Sequence, residues 1–257
     1  MSLSAIPNTR GQISSAIDIL LTENNQVTEE IRAFEQFKKQ VLNISINTAS
    51  RNSIGEFSYE QKPTVDATTR IRTAYCETVM SVSHYDAEYG DTYASSISEE
   101  FGSDIATALT ESSNLTRILK SALINQIENA IESRKQLRKT IQLEQDSIKS
   151  SYEELNDLAN SLYNYSKIEF SHIDHNRLIE YKDKICNDLY VFDNIAIIRQ
   201  QDINKIRKSM QTDRTTSDLY SYLYQSLSTT YPVLEMIGQL GLEYKKLKLE
   251  IKKEIII

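Results

Sequence analysis

Hydrophobic residues in the first part of the chain recur at a strict interval of seven: Ile13, Leu20, Val27, Phe34 and Val41, flanked by Ile17, Ile31, Phe37 and Ile44. Seven residues are close to two helical turns, so this run predicts one long helix over 9–46 carrying a coiled-coil seam. Asn24 and Lys38 interrupt the stripe, and polar residues in such positions fix register. Residues 47–68 lose the pattern and gather Asn, Thr and Ser with Gly55 and Pro63, which reads as a flexible linker.

The segment 69–112 is denser and less regular. Ile71, Tyr75, Val79 and Val82 make one short helical stripe, after which Gly90 reads as a helix stop and Asp91 as the next N-cap. A second short helix is expected to reach Phe101, with Gly102 ending it and Ser103 or Asp104 opening a third. From Asn114 to Lys167 there is neither glycine nor proline, which predicts one long helix with a seam through Ile141, Ile148, Leu155, Leu158, Leu162 and Tyr165. Asp174 is the expected N-cap of the following helix, where Leu178, Ile185, Leu189, Phe192, Ala196, Ile203, Ile206 and Met210 alternate steps of three and four. Only Lys182 and Arg199 break that run. A last helix, started by Asp213 or Ser217, carries Leu219, Leu223, Val233, Ile237, Leu240, Tyr244, Leu247 and Ile251, and Pro232 inside it predicts a kink.

These stripes predict an all-α fold in which long antiparallel helices form a coiled-coil or helical bundle with a short, compact helical insert. The expected organisation is an N-terminal coiled-coil helix (1–46), a flexible linker (47–68), a compact short-helix segment (69–112) and an antiparallel long-helix bundle (113–257). Composition supports this picture. With 6 glycines and 3 prolines in 257 residues, the chain lacks the turn formers that a β-sandwich or barrel needs.

The balance of charge, −7 overall, provides no global positive field for a phosphate backbone, so no nucleic-acid partner is expected. No apolar run approaches the length of a membrane span and the opening residues lack a signal-peptide pattern, so the expected location is the cytoplasm. Cys76 and Cys186 stand alone, without CxxC spacing, and read as small apolar residues.

The run Arg72-Thr-Ala-Tyr-Cys-Glu-Thr-Val-Met-Ser-Val-Ser-His-Tyr-Asp-Ala-Glu-Tyr-Gly-Asp91 resembles the signature of an uncharacterised helical protein family of halophilic archaea. Glu100-Phe-Gly-Ser-Asp-Ile-Ala-Thr-Ala-Leu109 and Tyr231-Pro-Val-Leu234 resemble later landmarks of the same family. The resemblance implies a helical domain of unknown function and brings no activity with it.

Candidate chemistry is sparse. Glu77, His84 and Glu88, spaced by seven and four, would share one face of an unbroken helix and could there hold a divalent metal, with Asp86 or Asp91 close by. The plainer reading has His84 and its carboxylates capping helices and pairing with Arg70 or Arg72. His172 and His175 flank Asp174, where a capped turn explains the same letters as a zinc ligand pair. The chain carries no G-x-S-x-G elbow and no glycine-rich phosphate loop. Its 15 tyrosines are expected to line seams with the hydroxyl at the edge.

The stretch 244–257 is basic and amphipathic, which suits either a helix C-terminus or an anionic membrane surface. Together these features predict a non-enzymatic structural or protein-interaction module with no cofactor and no bound metal, working through self-association or a protein partner on its helical seams. A peripheral membrane protein using the last helix is the first alternative. A metal-dependent enzyme centred on 77–91 is the second.

Overall fold

A computed structural model of the chain describes residues 5–46, 66–112, 114–210 and 219–256. Every regular element among the described residues is helical: α1 (Ala5–Asn43), α2 (Ala67–Thr78), a 3-10 turn (Val79–Ser81), α3 (Tyr85–Glu88), α4 (Tyr93–Phe101), α5 (Ser103–Glu111), α6 (Arg117–Tyr165), a second 3-10 turn (Phe170–His172), α7 (His175–Met210), α8 (Leu219–Leu223) and α9 (Pro232–Ile256). The fold is an all-α helical bundle. Its chain divides into two compact units: unit 1 holds Met1–Glu23 and Thr140–Ile257, and unit 2 holds Asn24–Lys139.

In unit 2 the short helices α2 to α5 share a core with the second part of α1 and the first part of α6. Tyr75 of α2 meets Phe37 of α1, Tyr93 and Phe101 edge-on, and Phe34 meets Phe101 at 6.3 Å. Each such edge-to-face pair adds about 0.5–1.5 kcal/mol to what area burial alone provides. The compact segment therefore does not close a core alone, because helices of four to twelve residues cannot surround a ring as large as Tyr75. Within this unit α1 and α6 run antiparallel, since Arg134 reaches Glu30 while Lys120 reaches the carbonyls of Leu42 and Ile44.

Unit 1 is built on α6, α7 and α9. Tyr165 packs on Tyr181 near the end of α6, whereas Ser147 bonds Asp202 near the end of α7, so these two helices are antiparallel. The α7–α9 pair is antiparallel as well: Arg207 reaches Tyr231 beside the start of α9, and Phe192 meets Tyr244 farther along. The buried stripe of α9 is Val233, Met236, Leu240, Tyr244, Leu247 and Ile251. Met236 takes the inward place expected of Ile237, which is only half-buried.

Local signals account for most helix ends. Asp66 caps α2 by accepting from the Thr69 amide at 2.6 Å, and Asp174 caps α7 by accepting from the Arg177 amide at 3.1 Å. Gly90 stops α3 with φ +58, as its position suggested. Two expectations are corrected. Thr92, not Asp91, caps α4, because the Thr92 hydroxyl lies where the Ser95 amide points. Pro232 does not kink a continuous last helix: it is the first residue of α9, where its missing N–H costs nothing, and the chain between α8 and α9 is not a helix. The linker expected over 47–68 lies outside the described residues up to 65, and α2 already begins at Ala67. The expected initiators Asp213 and Ser217 also lie outside them.

Candidate functional site

The side chains with the densest polar chemistry in unit 2 meet where α1 faces α3 and α6. Glu30 projects from α1 one residue before Ile31, at the second seam position of its heptad. Glu30 is buried, and its carboxylate accepts from Arg134 Nε at 2.6 Å and from Tyr89 Oη at 3.3 Å. His84 Nε2 lies 3.0 Å from the same carboxylate. Arg134 also forks onto Glu100, with Nη1 and Nη2 each on one oxygen, and its guanidinium lies 4.2 Å from the Phe34 ring centroid. Burial by itself would lower the Arg134 pKa, but the hydrogen bonds to Glu100 and the charges of Glu100 and Glu30 hold it above its ordinary value. Tyr89 is pushed up by burial and by the neighbouring Glu30 charge. A cavity of about 40 Å³ lies beside this network, lined by Glu30, Tyr75, Tyr85, Glu100 and Arg134 among others, with room for a water molecule.

His84 stands just before α3 with only 7% of its surface exposed, and it makes no capping bond there. Its ring sits between two carboxylates of α1: Glu30 at Nε2, and Glu29 3.7 Å from Nδ1, too far for a hydrogen bond. Nδ1 is buried without a hydrogen-bond partner among the described residues. Glu88, one turn farther along, is exposed and takes the amide of Gln26. Potential ligand atoms of Glu30, His84 and Glu88 all lie within 4.8 Å of one another.

Glu77 does not join this group. The helix that would have carried all three expected residues ends at Thr78, and a 3-10 turn and a bend re-aim the chain before His84. Glu77 is exposed on α2. Arg72 stacks on the Tyr93 ring instead of pairing with His84. His172 and His175 are both exposed beside the Asp174 cap, and His172 faces Glu169 at 3.8 Å. Cys76 and Cys186 are free and half-buried, with Cys76 Sγ 3.6 Å from Met80 Sδ.

Unit 1 holds a second polar network that is wholly internal. Arg199 of α7, 1% exposed, forks onto Glu144 of α6, which is fully buried, with Nη1 at 2.9 Å and Nη2 at 2.5 Å. Arg199 Nη1 also reaches Ser147 Oγ. Tyr220 and Tyr224 of α8 donate their hydroxyls to the same carboxylate, at 3.3 and 2.7 Å. Burial and the Glu144 charge push both phenols above their ordinary range. These tyrosines point inward with their hydroxyls, which the expectation of edge-facing hydroxyls did not foresee. Every oxygen of Glu144 has a donor, so this cluster is structural and leaves no group free for chemistry.

The outer surface of α9 carries a different feature. Leu242, Leu249 and Ile256 recur at seven and are 55%, 59% and 84% exposed. At about 100° per residue they lie on the side of the helix opposite Met236, Leu240, Tyr244, Leu247 and Ile251. The exposed lysines 245, 246, 252 and 253 border this outer stripe on both sides. No described helix is long and apolar enough to cross a membrane.

Compared with family profiles, residues 11–247 match a family described as a domain of unknown function (DUF7260). The chain belongs to this DUF7260 family. Comparison with curated proteins and with solved structures gives no match. The DUF7260 match takes in both polar networks, with Glu30, His84, Arg134, Glu144 and Arg199, together with Leu242. Leu249 and Ile256 lie beyond its end, so two of the three outer residues of α9 belong to sequence outside the DUF7260 match.

Proposed function

We propose that this DUF7260 protein is a non-enzymatic, cytoplasmic interaction module that presents the outer face of α9 to an acidic helical surface of a protein partner. One observation carries the reading: α9 has two apolar stripes, and only one of them is used inside its unit. An exposed leucine-type stripe at heptad spacing is the pattern by which helices pair. Lysines on both flanks complement carboxylates on the facing helix. Those same lysines oppose pairing of α9 with α9 of a second copy, because like charges would meet across a symmetric seam. The polar cluster of unit 1 does not compete with this reading, since both oxygens of Glu144 are taken by Arg199, Tyr220 and Tyr224. The resemblance of 72–91 to a family of halophilic archaea supports an archaeal source and brings no activity with it.

A variant carrying Leu242→Ser, Leu249→Ser and Ile256→Ser tests the proposal. Exposed substitutions of this kind cost within about 0.5 kcal/mol each, so the fold is retained. A partner captured by the wild-type protein in native extract, weakened by salt and absent from the triple variant, is the expected result. Capture that the variant leaves unchanged overturns the proposal. Vesicles containing phosphatidylserine provide the other arm: binding to them, lost in the same variant, would replace the protein partner with a membrane surface.

A further inference from the structure

We propose that Glu30, His84 and Glu88 form a binding site for one divalent first-row transition cation. The position of His84 is the starting point. A neutral imidazole has one N–H and one lone pair. If the proton sits on Nε2 and is donated to Glu30, the Nδ1 lone pair is buried with no donor, as its lack of a partner shows. If the proton sits on Nδ1, facing Glu29, the Nε2 lone pair confronts a carboxylate oxygen at 3.0 Å. A ring protonated on both nitrogens would face Glu30 and Glu29 as a monocation; a cation held by Nε2 removes the conflict for the neutral ring and brings in the Glu88 carboxylate as well, whose oxygen lies within 4.8 Å of the other two ligand atoms.

In that arrangement Nδ1–H faces the Glu29 carboxylate across 3.7 Å, a gap that rotation of the half-exposed Glu29 side chain closes, and Glu29 already accepts from Ser83 Oγ at 2.9 Å. A carboxylate behind a metal-bound imidazole fixes its tautomer and raises its basicity. Charge argues the same way. Glu29, Glu30, Glu88 and Glu100 crowd this corner of unit 2, and Arg134 is consumed by Glu30 and Glu100, which leaves Glu29 and Glu88 uncompensated by it.

The donor set of one imidazole nitrogen and two carboxylate oxygens selects the cation. It suits zinc or manganese better than calcium, which takes six to eight oxygens, and contains no thiolate for a softer ion. Ligand atoms around a tetrahedral ion with bonds near 2 Å stand roughly 3.4 Å apart. The present spread of up to 4.8 Å closes by rotation of Glu88, whose exposed side chain is held, among the described residues, by the Gln26 amide. Water completes the coordination on the exposed side of Glu88.

The test is calorimetric titration of the full chain, stripped with chelator, with zinc chloride and separately with manganese chloride. One equivalent of one of these ions is expected to bind. Glu88→Gln, an exposed change that leaves the helices intact, and His84→Asn should each weaken binding at least about tenfold, with unchanged circular dichroism. Glu77→Gln and His172→Ala should leave it unaltered. Absence of binding of both ions to the wild-type protein overturns the proposal. So does binding that survives Glu88→Gln and His84→Asn, because the ion then sits elsewhere.

Discussion

Arg199 illustrates how one residue can look like a defect in the sequence and prove to be a fastener in the fold. It interrupts the apolar run of α7, yet it is 1% exposed and its guanidinium is satisfied by Glu144 and Ser147. Taking one partner from a buried pair leaves an unpaired charge in a dry interior. We therefore expect Arg199→Ala to destabilise the protein by about 3–5 kcal/mol in urea denaturation. Gly102 is a second residue with a local demand. Its φ of +89 and ψ of 156 lie in a region reserved almost wholly for glycine, and a Cβ there would meet no neighbour, so the backbone alone sets the requirement. Gly102→Ala should cost about 1–3 kcal/mol, measured by the shift in denaturation midpoint, with no change in the helices on either side.

Among the elements, the two arginines of the cores continue heptads that the apolar residues began. Arg134 falls in the series Ile127, Ile141, Ile148, Leu155 and Leu162 at intervals of seven, and Arg199 falls in the series Leu178, Ile185, Phe192 and Ile206. Each is therefore directed into its seam and meets a glutamate of the facing helix: Glu30 of α1 for Arg134, Glu144 of α6 for Arg199. A slip of one turn would strand both charges, so these pairs fix register, the use of buried ions that is best attested. Arg199 was legible as an interruption at a seam position, whereas Arg134 lies one heptad before the seam that was read from Ile141 and was not singled out. Their partners were less legible, because Glu30 and Glu144 differ from surface glutamates only by their heptad place. The long helices and most of their seam positions were readable from period alone, but Met236 and Ile195 face inward where Ile237 and Ala196 were expected, and Pro232 was misread as a kink. A proline interrupts a helical pattern in the same way whether the helix bends there or begins there, and only the turn before it decides. The break between Thr78 and Tyr85 was equally hidden, since Val79 and Val82 continue the apolar spacing while the backbone leaves the α-helix. That break separates Glu77 from His84 and lets α1 supply Glu30 in its place.

At the scale of the whole molecule, buried tyrosines make the protein sensitive to alkali. Burial pushes Tyr93 up to about 12, and burial drives Tyr75, Tyr220, Tyr224 and Tyr244 further the same way. A phenol whose folded value lies above its unfolded value of about 10 contributes stability below that pH, and the contribution is lost as pH rises through the folded value. Denaturation midpoints should hold steady from pH 7 to 9 and fall progressively above pH 10. Constant midpoints through pH 12 would contradict this. Tyr93→Phe should keep its neutral-pH stability, because the Tyr93 hydroxyl has no hydrogen-bond partner among the described residues.

The lysines that border the outer face of α9 offer the means to test whether a partner docks there. Zero-length crosslinking of lysine to carboxylate in native extract, followed by peptide mapping, reports where a partner sits. With a carbodiimide, which activates a carboxylate for attack by a neighbouring lysine amine, amide crosslinks from Lys245, Lys246, Lys252 or Lys253 to the glutamates and aspartates of a partner helix, abolished by Leu242→Ser with Leu249→Ser and Ile256→Ser, are the predicted result. Crosslinks concentrated instead on Lys38, Lys39 and Lys135 of unit 2, and unchanged in that variant, would contradict it.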